Sequence, residues 1–347
     1  MLLEKIEYHS SVDQAEWDRL ALSLGGSFFH CYAYATLETN RERGTIPIFV
    51  KAFAPNGECV GIAVCIVSSP RLWPFSRLCK TAVVGALPAT KEGYSELEPA
   101  MMHVLEKNLR AQGVFQLEIC SYESPNSVKV LPTVSDTRTD RVEFYLDLSL
   151  PMDDIWKTFK STRRNDIRKA EKLGVESRCE NTVEGVHQLY GFQTESLQRR
   201  GIQFDPLYVQ AQRLQASILA TQRARLFVSY RDGIAVNAGL FGLFGGRAYY
   251  LASGSSRDGY KCCGPAHLVW AAIQTLKSEG ATTLNLGGVD GPIEQEPGKK
   301  SGLYNFKNDF GGKVIPQPKG LKTVSWCGAK LNSGLMLSRE IVGARLF

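Results

Sequence analysis

The sequence predicts an α/β protein that uses one plan twice: a mixed, twisted sheet flanked by helices, then a second unit of the same kind. Three observations lead there. The first half reads hairpin, helix, buried strand; the second half repeats that order; and turn residues fall where the plan needs reversals. With 347 residues, 44% hydrophobic and 22% charged, the chain has ordinary globular composition and exceeds one average domain. The halves share no obvious residue identity, so the duplication rests on element order.

In the first half, IPIFVKAF (47–54) and CVGIAVCIV (59–67) are apolar and β-branched, and PNGE (55–58) supplies the hairpin turn between them. Leu97, Met101, Val104, Leu105 and Leu109 recur at helical spacing and predict a helix over about 94–112. FQLEIC (115–120) reads as a buried strand, and VEFYLDLSL (142–150) as a strand that leaves this unit, which gives a first domain of 1–150.

After Pro151 the pattern predicts a basic helix over 153–173 closed by Gly174, a strand over 175–180, and helices near 182–200 and 206–220, the latter opened by Asp205-Pro206. RLFVSY (225–230), IAVNAGLFGLF (234–244) and RAYYLAS (247–253) form a meander with turns at Arg231-Asp232-Gly233 and Gly245-Gly246. A helix over 265–278 and the strand TTLNLGG (282–288) complete a second domain, 151–325. The tail, 326–347, carries Leu331, Leu335, Ile341, Val342 and Leu346 beside Lys330, Arg339 and Arg345. It reads as a docking helix, with peripheral contact at a membrane surface as the alternative.

No run of about eighteen apolar residues is present, and MLLEKIEYHS reaches Glu4 too soon for a secretory signal, so a cytoplasmic protein is expected. The nine cysteines form no C-x-x-C pair and the five histidines do not cluster near them, which argues against structural zinc and for reduced thiols. Cys262-Cys263 reads as packing, or as a redox pair. The net charge of +6 is partly clustered: Lys157, Lys160, Arg163, Arg164, Arg168, Lys169 and Lys172 face only Asp166 and Glu171.

Most catalytic signatures are missing: there is no P-loop, no G-x-S-x-G, no H-E-x-x-H, and no dinucleotide-binding glycine fingerprint followed by an acidic residue. Two features remain. The turn Lys261 to Ala266, KCCGPA, opens a helix and is either a pyrophosphate loop for an acyl-CoA or a plain helix start, with Pro265 removing one amide. The stretch SGLYNFKNDFGG (301–312) sets Lys307 among Tyr304, Phe306 and Phe310. Such a lysine is either a cation held for an oxyanion or a charge that snorkels to solvent.

Together with STRRNDIRKAEKLGV (161–175), ESLQRRGIQFDPLYVQ (195–210) and TLNLGGVDG (283–291), SGLYNFKNDFGG resembles the Fem family of aminoacyl-tRNA-dependent peptidoglycan bridge-forming transferases. The similarity runs from about Asp153 to Ile315, with the motifs in family order; the first half matches in element order and around FFHCYAYATLE (28–38). The resemblance implies two tandem GNAT-like domains and transfer of an aminoacyl group from charged tRNA to an amine of a cell-wall precursor or a similar small acceptor. By motif, Lys307 would stabilise the tetrahedral intermediate. Arg199, Tyr249, Tyr304 and Phe306 would bind substrate, and Arg164, Arg168 and Lys169 would contact the tRNA.

Three departures stand out. Tyr34 and Glu38 occupy the places of a tryptophan and a phosphate-binding lysine, Cys120 that of a carboxylate, and Leu251 that of a second tyrosine. They put a nucleotide-linked muramyl peptide acceptor in question more than acyl transfer itself. The expectation is therefore an N-acyltransferase with no cofactor beyond aminoacyl-tRNA and no metal. The alternatives are an acyl-CoA-dependent enzyme and a non-catalytic member that binds through its basic face.

Overall fold

The computed structural model describes residues 4–41, 44–69, 79–199, 201, 210–292 and 301–326. These divide into two units, one of residues 4–141, 290–292 and 316–326, the other of 142–289 and 301–315. Each is built on one mixed sheet.

The first unit holds β1 (Lys5–His9), β2 (Thr45–Phe53), β3 (Cys59–Ser68), β4 (Lys80–Val84), β5 (Ala89–Thr90), β6 (Val114–Ile119), β7 (Thr137–Thr139) and the last strand of the described chain, β15 (Lys319–Thr323). Their order is β1-β2-β3-β4-β6-β15-β7, with β5 on β3; β4 and β6 run parallel. The β2–β3 hairpin turns at Asn56 and Gly57, where Gly57 has φ +77° and Ala54 N donates to Glu58 O. The helix Leu97–Ala111 buries Leu97, Met101, Met102, Leu105 and Leu109 on the sheet. Val104, expected in that stripe, is exposed: at 100° per residue it falls on the margin of the buried arc, and Met102 takes its place.

The second unit holds β8 (Arg141–Asp147), β9 (Val175–Cys179), β10 (Ala224–Arg231), β11 (Ile234–Phe244), β12 (Arg247–Ser255), β13 (Thr283–Asp290) and β14 (Lys313–Pro316), in the order β14-β8-β13-β12-β11-β10-β9. Strands β9 to β12 are antiparallel; β12 and β13 run parallel and pair only from Arg247–Tyr249 to Thr283–Asn285. The helix Gly264–Ser278 lays Ala266, Leu268, Val269, Ala272, Ile273 and Leu276 into the same core as Phe144, Phe227 and Phe241.

Two expected boundaries move. VEFYLD does not close the first unit: Val142, Phe144 and Leu146 join the second core, so the division falls at residue 141 rather than 150, and residues 316–326 return to the first unit through β15. The basic helix over 153–173 is two helices, Met152–Thr158 and Ser161–Lys172. Phe159 and Lys160 are extended between them, because Phe159 plugs the core against Trp156, Trp270 and Phe310 while Lys160 N donates to Asp309 O at 2.8 Å. The Asp205-Pro206 helix start and the expected docking helix beyond 326 lie outside the described residues. Among the described residues no helix is long and apolar enough to cross a membrane.

Gly311, at φ +75°, ends the lysine-bearing segment, and a Cβ there would collide with the Thr158 carbonyl. Gly311→Ala is expected to destabilise the protein by about 1–3 kcal/mol from backbone strain alone. Thermal unfolding checks this; an unchanged melting temperature contradicts it.

Candidate active site

Lys307 lies on a short helix, Gly302–Asn308, whose start is capped by Ser301: the Ser301 hydroxyl accepts from Tyr304 N at 3.1 Å. Tyr304 and Phe310 are buried and Phe306 is half-buried, with Tyr304 edge-on to Phe144. Lys307 itself is only 8% exposed, so its ammonium does not snorkel to solvent. Its Nζ donates to Gly288 O at 3.0 Å. The neighbouring Gly287 has φ +72°; a Cβ there would lie 3.3 Å from Lys307 Nζ and 3.7 Å from Tyr249 Oη. The space beside the lysine therefore depends on residue 287 having no side chain.

The residue that sequence reasoning missed is Glu143. It is 0% exposed on β8, between β14 and β13. Tyr249 Oη donates to its Oε1 at 2.8 Å, and Tyr145 Oη and Asn285 Nδ2 donate to its Oε2 at 2.8 and 2.7 Å. Desolvation opposes the charge of a buried carboxylate, but three donors favour the ionised form. Asn285 also accepts from Gly287 N at 2.8 Å. A continuous path thus runs from Glu143 through Asn285 and the Gly287-Gly288 turn to Lys307. The strand around Glu143 is buried on both faces, where a charge must find partners.

Of the basic segment, Arg163 was counted as a surface charge, yet it is buried. Its Nη1 pairs with Asp166 at 2.8 Å, its Nη2 donates to Phe306 O at 3.2 Å, and its guanidinium lies over Phe306 and Phe310, 4.3 and 5.1 Å from the ring centroids. Burial works against its charge, while Asp166 and Asp309 favour it. Arg163 therefore grips the lysine helix on both sides of Lys307. Of the expected tRNA contacts, Arg168 and Lys169 are exposed; Arg168 stacks over Trp156, and Arg164 is half-buried and donates to Lys157 O at 3.3 Å.

Arg199 stands apart from this cluster. It ends the helix Val183–Gln198, pairs with Glu195 at 2.5 Å, donates to Ser196 Oγ and Ser255 O at 3.0 Å each, and lies over Tyr260. Ser255 is six residues along β12 from Tyr249, about 20 Å at the rise of a strand. The structure thus brings Lys307, Tyr249, Tyr304 and Phe306 together, and leaves Arg199 elsewhere in the unit.

The KCCGPA turn is tightly packed. Cys263 takes φ +58°, a Cβ on Gly264 would overlap Asn237 Oδ1, and the Ala266 and His267 amides donate to Cys263 O at 3.1 and 3.3 Å. Those two amides are engaged within the helix start itself, and Pro265 supplies none. In the first unit, Tyr34 is buried against Phe28 and Phe29, and Glu38 pairs with Arg41 at 2.7 Å. The Cys120 thiol is pushed up to about 12, first by burial and then by Glu118. A neutral thiol there cannot stand in for a carboxylate base. Among the described residues no group of three or more His, Cys, Asp or Glu is placed to hold a metal ion.

The FemAB family model matches residues 206–318, the segment that carries Tyr249, Asn285 and Lys307. No curated protein matches the chain in sequence. Its fold is similar to that of FemX at 14% identity and TM-score 0.67, covering 96% of this chain and 100% of that one. It is similar to L-PGS from Bacillus licheniformis at 14% identity and TM-score 0.51, covering 96% and 98%. A tandem GNAT protein from the clavulanic acid biosynthesis pathway matches at 11% identity and TM-score 0.54, covering 92% and 99%. The chain thus has the expected tandem GNAT-like fold.

Burial also pushes the Cys65 thiol up to about 12, whereas Cys179 is exposed. Alkylation of the native protein near pH 8, read by peptide mass spectrometry, is expected to label Cys179 and to spare Cys65 and Cys120. Equal labelling of Cys120 and Cys179 contradicts the burial argument.

Proposed function

We propose that this chain is a FemAB-type acyltransferase and that it moves an aminoacyl group from aminoacyl-tRNA to the amine of an anionic acceptor, in the first instance a peptidoglycan precursor. The observation that carries this is the buried ammonium of Lys307, held at 3.0 Å from Gly288 O inside the family-matched segment. When an amine attacks the ester carbonyl of a charged tRNA, negative charge develops on the carbonyl oxygen. A fixed cation in a dry site stabilises that charge far better than a solvated one, because nothing must reorganise as it forms.

The donor reading rests on charge. Arg168 and Lys169 are exposed beside Arg163, which grips the lysine helix, so a polyanion held on these side chains lies on the element that is tied to Lys307. Arg199, remote from the lysine along β12, fits an acceptor long enough to carry an anionic group well away from its amine. On this reading the enzyme works where charged tRNA is found, in the cytoplasm, and needs no cofactor.

Lys307→Met is expected to lower single-turnover transfer from charged tRNA about 10²–10³-fold, with an unchanged melting temperature. Retained function in that variant overturns the catalytic reading in favour of a binding member. Saturable transfer from acyl-CoA with none from charged tRNA replaces the donor. Separately, Arg168→Ala and Lys169→Ala are expected to weaken tRNA binding whatever the tRNA sequence, each reducing the slope of log affinity on log salt by about one. An unchanged salt slope removes these two residues from the tRNA path.

A further inference from the structure

We propose that Glu143 and Tyr249 form a proton relay that takes the proton the attacking amine must lose. This rests on the aminoacyl-transfer reading above. Glu143 is fully buried on β8 and accepts from Tyr249, Tyr145 and Asn285. Burying a carboxylate this deeply is a poor way to gain stability, since a well-packed apolar side chain of similar volume commonly does as well or better. Tyr249 donates its hydroxyl proton to Glu143 Oε1 at 2.8 Å, and a phenol oxygen can accept a proton as well as donate one. That oxygen and Lys307 Nζ both flank Gly287, 3.7 and 3.3 Å from where a Cβ there would sit.

The titratable groups placed about Glu143 and Lys307 include Tyr145 on the same strand as Glu143, Tyr249 on β12 and Lys307 on the short helix. Of these, Lys307 is the cation, and the hydrogen-bonded Tyr249–Glu143 pair is the proposed acceptor of the proton. In the relay the amine nitrogen bonds to the ester carbonyl carbon and the carbonyl oxygen becomes an oxyanion beside Lys307. The amine proton passes to Tyr249 Oη as the phenol proton passes to Glu143 Oε1. When the intermediate collapses, the ester C–O bond breaks and the proton returns through Tyr249 to the departing ribose oxygen. The products are an amide and an alcohol, with no further reactant.

The test is single-turnover transfer from charged tRNA across pH 6–9 for wild type, Tyr249→Phe, Glu143→Gln and Glu143→Asp, with melting temperatures measured alongside. Tyr249→Phe and Glu143→Gln are expected to lose about 10²–10⁴ in rate, and their residual rate to climb more steeply with pH than the wild type's, by up to about tenfold per unit. Glu143→Asp, which keeps a carboxylate, is expected to recover part of the rate and the wild-type pH profile. Rates within about threefold of wild type overturn the relay, and so does a large loss with an unchanged pH profile, which marks a merely structural pair. Should Glu143→Gln fail to fold, Tyr249→Phe, which removes one oxygen, decides alone. A wild-type enzyme that transfers nothing from charged tRNA overturns the underlying reading, and the relay with it.

Discussion

A carboxylate with no exposed surface, set between two strands of a sheet, dictates what its neighbours must be. Each oxygen of Glu143 needs a donor, and the donors come from three strands: Tyr145 from β8, Tyr249 from β12 and Asn285 from β13. A donor lost here leaves a buried charge short of a partner, at about 1–3 kcal/mol or more, so the set is kept whole or not at all. Asn285 carries the constraint onward, because its amide nitrogen is committed to Glu143 and its oxygen to Gly287 N. That bond fixes the left-handed glycine turn whose next carbonyl receives Lys307. The lysine's position is thus a consequence of the glutamate's needs.

A second buried charge works in the same way on the other side of the lysine helix. Arg163 has its Nε without a partner among the described residues, and faces Phe306 and Phe310 instead. Aromatic faces offer a guanidinium part of what water would, by about 0.5–2 kcal/mol, and Asp166 supplies the rest of the compensation. The arrangement requires the basic segment to turn at residues 159–160, since a continuous helix would not allow Lys160 N to reach the Asp309 carbonyl. The break in the helix and the grip on the lysine segment therefore have one cause.

What could be read from the residues and what could not divides along the same line. Strands and helices that bury one apolar face announced themselves: the 234–244 strand was expected with the bounds it has, and the 265–278 helix differs by one residue. Lys307 was ambiguous by composition, since aromatic neighbours suit a snorkelling lysine as well as a buried one; only the turn at Gly287-Gly288, twenty residues away, separates the two. Glu143 was overlooked because a glutamate among alternating apolar residues reads as the solvent face of a strand, and whether that face is covered depends on β13 and β12 packing beside it. Arg163 was hidden in a run of like charges, where periodicity cannot say which member turns inward. The shift of the boundary from 150 to 141 has a similar origin, because strand character does not reveal which sheet a strand joins.

The charges of the second unit thus fall into two kinds with different physical work. Glu143, Arg163 and Lys307 are buried, mutually positioned and already desolvated before any substrate arrives. Their field can be stronger in the transition state than in the ground state, which is the condition for raising turnover. Arg168 and Lys169 are wet, and Arg199 is tied to Glu195 and Ser255 well along β12. Contacts made by such groups are felt equally by bound substrate and transition state, so they set affinity and orientation. Exposed charges of this kind can change without disturbing the buried set. In the first unit Tyr34 and Cys120 are packed into the core and Glu38 is held by Arg41, whereas in the second a single buried carboxylate fixes Asn285, the Gly287 turn and, through it, Lys307.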